Sequence, residues 1–225
     1  MTRLLDLGVQ HIQRIVMDMS KISEDSVFLA IESYEKNVSV KKQIFEWSER
    51  LRLMQEEVSD LSIELIARYQ PVASDLRFIR SCMEIAYGFS RFGRYSYDIV
   101  DVLETMGPIN NCDKTAVLKM ASKVREMIIL SINGLQSRDK NIAERLYELD
   151  DTVDSIYRGY LKDCTTILSG QQASEHKDKN LYFSDARCYI SALLILRYLE
   201  RISDHACYIG DSVLYIVTGD SRPRR

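Results

Sequence analysis

Residues that interrupt or cross-link a chain are scarce in this sequence. It has three prolines and nine glycines among 225 residues, so long stretches run without a helix breaker. The five cysteines are odd in number, widely spaced and without a Cys-x-x-Cys pair. That pattern suggests neither a disulfide framework nor a zinc site, and it favours a reducing cytosol. No apolar run is long enough to span a bilayer, and no leader is recognisable at the start. We therefore expect a cytoplasmic protein that is not inserted in a membrane.

Catalytic and nucleic-acid-binding signals are missing as well. The formal net charge of -3 argues against a nucleic-acid partner, because such proteins are usually basic. The sequence contains no P-loop, no Gly-x-Ser-x-Gly and no Cys-His pair, so we expect no enzyme. A di-metal carboxylate enzyme stays as the alternative class, but it needs Glu-x-x-His on facing helices. None of the three histidines has a glutamate three residues before it, since those positions are occupied by Gly8, Ala173 and Ile202.

What the sequence does contain is helical periodicity from end to end. In the second segment, apolar residues alternate steps of four and three from Val40 to Leu65, which is typical of a helix packed in a bundle, and Pro71 ends that segment. Gly107-Pro108 ends the next one. The pattern predicts six helices, at about Leu4–Tyr34, Val40–Leu65, Ser74–Met106, Asp113–Leu135, Ile142–Ile167 and Ser184–Val217, with Ser169–Asn180 as the longest loop.

The six predicted helices form two copies of a three-helix unit. Residues Val40, Ile44 and Trp47 reappear in the fifth segment as Ile142, Leu146 and Leu149. The helix start Ser74-Asp75-x-Arg77 reappears as Ser184-Asp185-x-Arg187, where the acidic residues are predicted to cap helices. We predict an all-α fold of two pseudo-symmetric three-helix bundles. Their ranges are 1–108 and 109–219, followed by a basic disordered tail at 220–225.

Two pairs of acidic residues have the spacing of a metal site. Glu200 and Asp204 lie four residues apart in the sixth helix, and Asp150 and Asp154 do so in the fifth. Each pair shares one helix face. Because the large apolar residues of the sixth helix fall on the opposite side, we expect Glu200 and Asp204 to face outward, while Asp150 and Asp154 lie just beside the apolar seam of the fifth helix. Clustered carboxylates suit hard cations, although outward acids are more often solvated or paired with Arg and Lys.

Two short motifs carry a family resemblance. The stretch Gln70-Pro71-Val72-Ala73-Ser74-Asp75-Leu76-Arg77 and the later Leu199-Glu200-Arg201-Ile202-Ser203-Asp204 resemble the signatures of the PhoU family of phosphate-uptake regulators. The resemblance covers nearly the whole chain. It implies two three-helix bundles whose acidic pairs bind multinuclear metal clusters, often iron. It also implies negative regulation of phosphate uptake together with a phosphate transporter and a sensor kinase.

The resemblance assigns metal ligands in the second repeat only. There Asp150, Asp154, Glu200 and Asp204 match the family pattern, with iron as the expected metal and magnesium or manganese as the other candidates. The first repeat departs from it, with these residues at the corresponding positions: Ser48, Arg52, Ser90 and Arg94. Two arginines would repel a cation, so we predict no metal cluster in the first repeat. A bound anion is the alternative there.

Some expectations concern neighbouring residues and assembly. His205 is predicted to be a surface or interface residue, while Asp211 and Cys207 are peripheral candidates near the acidic pairs, with Cys207 more simply a packed residue. The 13 tyrosines and many apolar residues should leave contact surfaces outside the two bundles, so a homodimer is predicted. The leading function is a non-enzymatic regulator or adaptor of phosphate uptake. An accessory protein of a different, Pit-type phosphate transporter stays as its alternative.

Overall fold

The computed structural model describes residues 4–107, 109, 111–168 and 179–220, and of residues 167, 168 and 179–185 it describes only the backbone. These described residues contain helices and no strand. The helices are α1 (Leu4–Lys36), α2 (Lys41–Tyr69), α3 (Ala73–Met106), α4 (Thr115–Ser137), α5 (Ile142–Leu168) and α6 (Lys179–Thr218). Within each half the three helices contact one another, α1 with α2 and α3, and α4 with α5 and α6. The predicted all-α class with two three-helix bundles is confirmed.

The predicted cap of α3 and the predicted start of α6 are wrong, whereas α3 begins within one residue of its predicted start. α3 begins at Ala73 and its N-cap is Val72, with no side-chain capping hydrogen bond, so Asp75 lies in the first turn and is not the cap. α6 begins at Lys179, which places Asp185 inside the helix and makes the preceding loop shorter than predicted. Residues 169–178 of that loop and residues 221–225 of the predicted tail lie outside the described residues.

The predicted apolar seams form the cores of both bundles. In α2, Ile44, Leu51 and Val58 are fully buried, and in α5 Leu146 and Val153 are fully buried too. A seam with steps of three and four keeps these side chains on one face of each helix, where removing them from water stabilises the bundle. The periodicity therefore predicts correctly which face of each helix packs inward.

The third helix of each repeat is the most enclosed. α3 and α6 pack against each other across the two repeats. At Gly88 the helices approach so closely that a Cβ atom would lie 3.1 Å from Ile209 Cγ1. α6 also contacts α4 and α5. At Gly210 an added Cβ would lie 2.7 Å from Leu146 Cδ1 and 3.3 Å from the Ala143 Cα. α6 is consequently buried on more than one side.

The connection between the repeats is held by a lysine and a disulfide. The Lys114 Nζ donates to the carbonyl oxygens of Tyr34 at 2.7 Å and Glu35 at 2.9 Å, which satisfies free carbonyls at the end of α1. Cys112, in the connection, is disulfide-bonded to Cys188 in α6, with their Cα atoms 5.4 Å apart. The expectation that the cysteines form no disulfide is therefore wrong. Cysteines that are far apart in the sequence give no sign of pairing before the fold is known. Because two of them are paired, the cysteine pattern is no longer an argument for a reducing cytosol.

The close contact at Gly210 generates a stability prediction. Gly210→Val should lower the free energy of unfolding by about 1–3 kcal/mol, because the new side chain overlaps Leu146 and the α5 backbone. Gly159→Val is the matched control, since a Cβ at Gly159 of α5 meets nothing within 4 Å. Urea unfolding followed by circular dichroism measures both variants. Equal stability of the two variants would refute the close α5–α6 approach.

Candidate metal centre between α5 and α6

The first member of the candidate site, Asp150, is buried in the interface between α5 and α6. Its side chain is 4% exposed. The Ser203 Oγ of α6 lies 2.9 Å from Asp150 Oδ1 and 2.7 Å from the Glu200 carbonyl oxygen. Because a hydroxyl has one proton, it donates to one of these acceptors at a time. The contact fixes Asp150 against α6 and partly meets the need of a buried carboxylate for hydrogen bonds.

Glu200 is buried as well, with 9% exposure. An Arg197 guanidinium nitrogen donates to its Oε1 at 2.6 Å. Its second oxygen, Oε2, is buried without a hydrogen-bond partner in the described part of the chain, and the Arg201 Nε lies 4.0 Å from it. An unpaired buried carboxylate oxygen is costly, so this atom is a natural point of attachment for a proton or a cation.

Asp154 and Asp204 lie at the more open rim of the same surface. An Arg158 nitrogen is 2.7 Å from Asp154 Oδ2, and an Arg201 nitrogen is 3.4 Å from Asp204 Oδ2. The two carboxylates have side-chain exposures of 21% and 28%. The rim acids are thus half-buried and each has an arginine of its own helix as partner.

The charges of this cluster do not cancel. Four carboxylates face three guanidiniums, those of Arg158, Arg197 and Arg201. Burial raises the pKa of Glu200, and the charges of Asp154 and Asp150 raise it further, against the lowering effect of the arginines. Burial, followed by repulsion from Glu200 and Asp150, raises the pKa of Asp204 to about 6. The carboxylates therefore repel one another at a site that is partly shielded from solvent, as expected for acids that share one site.

The expectation that Glu200 and Asp204 face outward is wrong for Glu200, which is buried together with Asp150. The large apolar residue Ile209 of α6 packs towards Gly88 of α3, but a second face, with the small residues Ser203 and Gly210, lies against α5. Ser203 and Ala206 are fully buried. Small residues leave little apolar signal in the sequence, so the second face is not visible there. The acids sit at the edge of that face.

The donor set fits a hard cation, although the carboxylates are not yet arranged around one. Every candidate ligand atom is a carboxylate oxygen, the type that magnesium, manganese and iron accept. Among the described residues, no group of three or more His, Cys, Asp or Glu side chains is positioned to hold a metal ion. Binding therefore requires the exposed ends of the arginines to leave the carboxylates. A bound cation would replace the positive charge that the arginines supply to these carboxylates.

The structure also brings together the corresponding residues of the first repeat. Ser48 and Arg52 of α2 and Ser90 and Arg94 of α3 all line one surface cavity of about 420 Å³. The duplication inferred from the sequence thus holds at the level of the site. These positions carry no acid, and their two arginines make a cation site there unfavourable.

Residues near the centre include some that the sequence did not single out. Ser203 and Arg158 bind members of the acidic cluster, but isolated serines and arginines give no recognisable signal in a helix. Asp211, a peripheral candidate, accepts a hydrogen bond from the Tyr147 hydroxyl at 2.6 Å, which links α6 to α5 beside the cluster. Cys207 is buried, in agreement with a packed role.

His205 is not a surface residue. It is 9% exposed and its ring contacts the rings of Tyr87 and Tyr95 in α3 and of Tyr208 in α6. Burial, with the charges of Arg91 and Arg201 as lesser causes, lowers the pKa of His205 to about 4. A neutral histidine enclosed by tyrosines belongs to the packing between the repeats and not to the acidic centre.

Comparisons with known proteins all point to the same family. The PhoU domain model matches residues 16–103 and 117–213, one match in each repeat. A PhoU homolog of Clostridium acetobutylicum, described as a phosphate-specific transport system accessory protein, is 27% identical over 97% of both chains. A similarly named homolog of Methanothermobacter thermautotrophicus is 28% identical over 70% of this chain and 68% of its own.

Solved structures agree in fold. The PhoU crystal structure from Streptococcus pneumoniae superposes with a TM-score of 0.81 at 17% identity, over 97% of this chain and 99% of that one. PhoU from Pseudomonas aeruginosa gives a TM-score of 0.75 at 23% identity, over 96% and 99%. The tandem three-helix bundles therefore define a class of all-α repeat proteins with this fold. This chain belongs to the PhoU family, as both repeats match its domain.

Asp204 generates a pH prediction. Its pKa in the folded state is raised from 3.8 to about 6, so the stabilisation by its proton is complete below about pH 4 and is lost as the pH rises through about 6. With a chelator present, the free energy of unfolding of Asp204→Asn should rise relative to that of the wild type by about 1–3 kcal/mol as the pH increases from about 4 to 7. Urea unfolding at both pH values measures it, with Asp60→Asn at an exposed position as control. Parallel pH profiles of Asp204→Asn and wild type would contradict the burial of this acid.

Proposed function

We propose that this protein is a cytoplasmic accessory regulator of a phosphate transport system that restrains phosphate uptake and helps to maintain phosphate homeostasis. The observation that carries the proposal is the match of the PhoU domain to both repeats. Relatives similar along almost the whole chain are named accessory proteins of phosphate-specific transport, which supports the same role here. Among the described residues, no helix is long and apolar enough to cross a membrane. Regulation would thus act through contact with transporter components and with a sensor kinase.

A metal cation or cluster in the second repeat is part of this proposal. Asp150, Asp154, Glu200 and Asp204 would hold it, with iron expected from the family and magnesium or manganese as the other candidates. The unpartnered Glu200 Oε2 and the raised pKa values of Glu200 and Asp204 support the assignment, because a cation relieves the same repulsion that a proton does. A bound cation would supply charge neutralisation and a rigid link between α5 and α6.

A homodimer is the proposed assembly, and α2 offers a surface for contacts. Its outer face leaves Phe45, Leu53 and Ile63 about half exposed, at 49%, 55% and 59%. Among the described helices, α2 contacts α1 and α3 of its own repeat and none of the second repeat. Light scattering at micromolar concentration tests the assembly, where a dimer mass is expected and a monomer mass would count against it.

The regulatory role has a direct cellular test. Deletion of the gene in its host should raise the uptake of radiolabelled phosphate when phosphate is plentiful, because the restraint on the transporter is gone. Restoring the wild-type gene should return uptake to its original rate. Unchanged uptake, or uptake that falls after deletion, would contradict negative regulation.

The metal site generates a binding prediction. Since Glu200 is buried, the double variant Glu200→Gln and Asp204→Asn keeps the side-chain shapes while it removes two charges. Elemental analysis of wild type purified without chelator should find metal, and titration of the stripped protein with Mn²⁺ or Fe²⁺ in a calorimeter should show binding. The double variant should bind at least about tenfold more weakly, a loss of about 1.4 kcal/mol.

The matched control for that titration lies on α3. Asp101→Asn with Glu104→Gln removes two acids of the first repeat that pair with Lys41 and are not members of the candidate centre. This control should bind metal as wild type does. Equal affinity of the wild type and the Glu200/Asp204 variant would refute the site assignment, and loss of binding in the control would do so as well.

A further inference from the structure

The cavity of the first repeat lies between α2 and α3 and is distinct from the acidic centre of the second repeat. Its volume is about 420 Å³, within the roughly 300–1,000 Å³ that is usual for ligand pockets. Its lining is almost entirely polar and mostly charged: Ser48, Glu49, Arg52, Ser90, Arg91, Arg94 and Asp98. A cavity with three guanidiniums and two hydroxyls presents hydrogen-bond donors, the opposite of the carboxylate surface between α5 and α6.

The backbone places these donors close together. At Gly93 a Cβ atom would lie 3.3 Å from the Ser48 Cα, so α2 and α3 are in near contact at the base of the cavity. Arg52 lies one turn after Ser48 on α2, and Arg94 lies one turn after Ser90 on α3. Because α2 and α3 approach each other closely at Gly93, each helix brings one serine and one arginine to the same cavity.

Arg91 is held in place without a carboxylate partner. One guanidinium nitrogen donates to the Tyr95 hydroxyl at 2.8 Å, and the guanidinium carbon lies 4.7 Å from the centre of the Tyr95 ring. In the described part of the chain its Nε is buried without an acceptor, and no ion pair of Arg91 occurs. A guanidinium fixed over an aromatic ring loses little freedom when it binds an anion.

The other two arginines have partners that an anion can replace. Arg52 pairs with Glu49 at 3.2 Å and with Glu56 at 2.6 Å, and Arg94 pairs with Asp98 at 3.1 Å. The arginine side chains are 48% and 58% exposed. Ion pairs at such exposure contribute about 0–1 kcal/mol, so an anion that contacts several donors at once competes well with them.

We propose that this cavity binds a tetrahedral oxyanion of the phosphate type, held by the guanidiniums of Arg52, Arg91 and Arg94 and by the hydroxyls of Ser48 and Ser90. Arginine forks match the oxygen spacing of phosphate, and hydroxyls donate to the remaining oxygens. The anion is either free orthophosphate or the phosphoryl group of a phosphomonoester. This site does not depend on the metal centre, since the two share no residue.

Calorimetric titration of chelator-treated wild type with orthophosphate tests the proposal, because chelation removes metal that would itself bind phosphate. Saturable binding of about one equivalent per chain is expected. Arg52→Gln and Arg94→Gln should each weaken it at least about tenfold. Arg68→Gln is the control, since Arg68 is an exposed arginine of α2 paired with Glu64 outside the cavity, and its affinity should stay within about twofold of wild type. Circular dichroism confirms that each variant is folded.

The outcomes separate clearly. Absence of saturable binding by wild type, binding unchanged in both cavity variants, or an equal loss in Arg68→Gln would overturn the proposal. A parallel titration with phenyl phosphate distinguishes the source of the anion. Tighter binding of orthophosphate identifies the free ion, whereas equal or tighter binding of phenyl phosphate identifies a phosphomonoester.

Discussion

The fold depends on the packing of α6, which contacts α3 of the other repeat as well as α4 and α5 of its own. A helix enclosed in this way cannot keep its polar residues in water, so Glu200 is drawn into the α5 interface. Buried carboxylates are tolerated only with partners: Arg197 and Arg201 lie beside the Glu200 carboxylate, and the Ser203 hydroxyl lies within hydrogen-bond distance of Asp150. The acidic centre is a direct consequence of that burial, and its residual negative charge is what makes a cation a suitable ligand.

The duplication gives each position of the acidic centre an equivalent in the first repeat, with a different side chain there. Where the second repeat has Asp150 hydrogen-bonded to Ser203, the first has Ser48 in near contact with Gly93. Each pair joins the second and third helices of its bundle, so the scaffold is the same in the two halves while serine and arginine replace the four acids at the equivalent positions. In our account one half responds to cations and the other to anions, and the α3–α6 interface connects them.

Periodicity in the sequence was sufficient to predict the helices, the bundles and their repetition, because burial of large apolar side chains such as Leu51 and Val153 determines all three. Exposure of the acids was not predictable in the same way, since the face of α6 that covers them is built from small residues such as Ser203. The pairing of Cys112 with Cys188 was not predictable either, because it arises from the path of the connection between repeats. The replacement of the four acids was visible in sequence, but the cavity around Arg52 was not.

The most direct test of the account is an anomalous difference map from crystals grown with manganese. The account predicts density between α5 and α6, within coordination distance of Glu200 and Asp204, and none in the cavity lined by Arg52 and Arg94. Manganese bound in the first-repeat cavity, or a map without a peak at the acidic cluster, would contradict it.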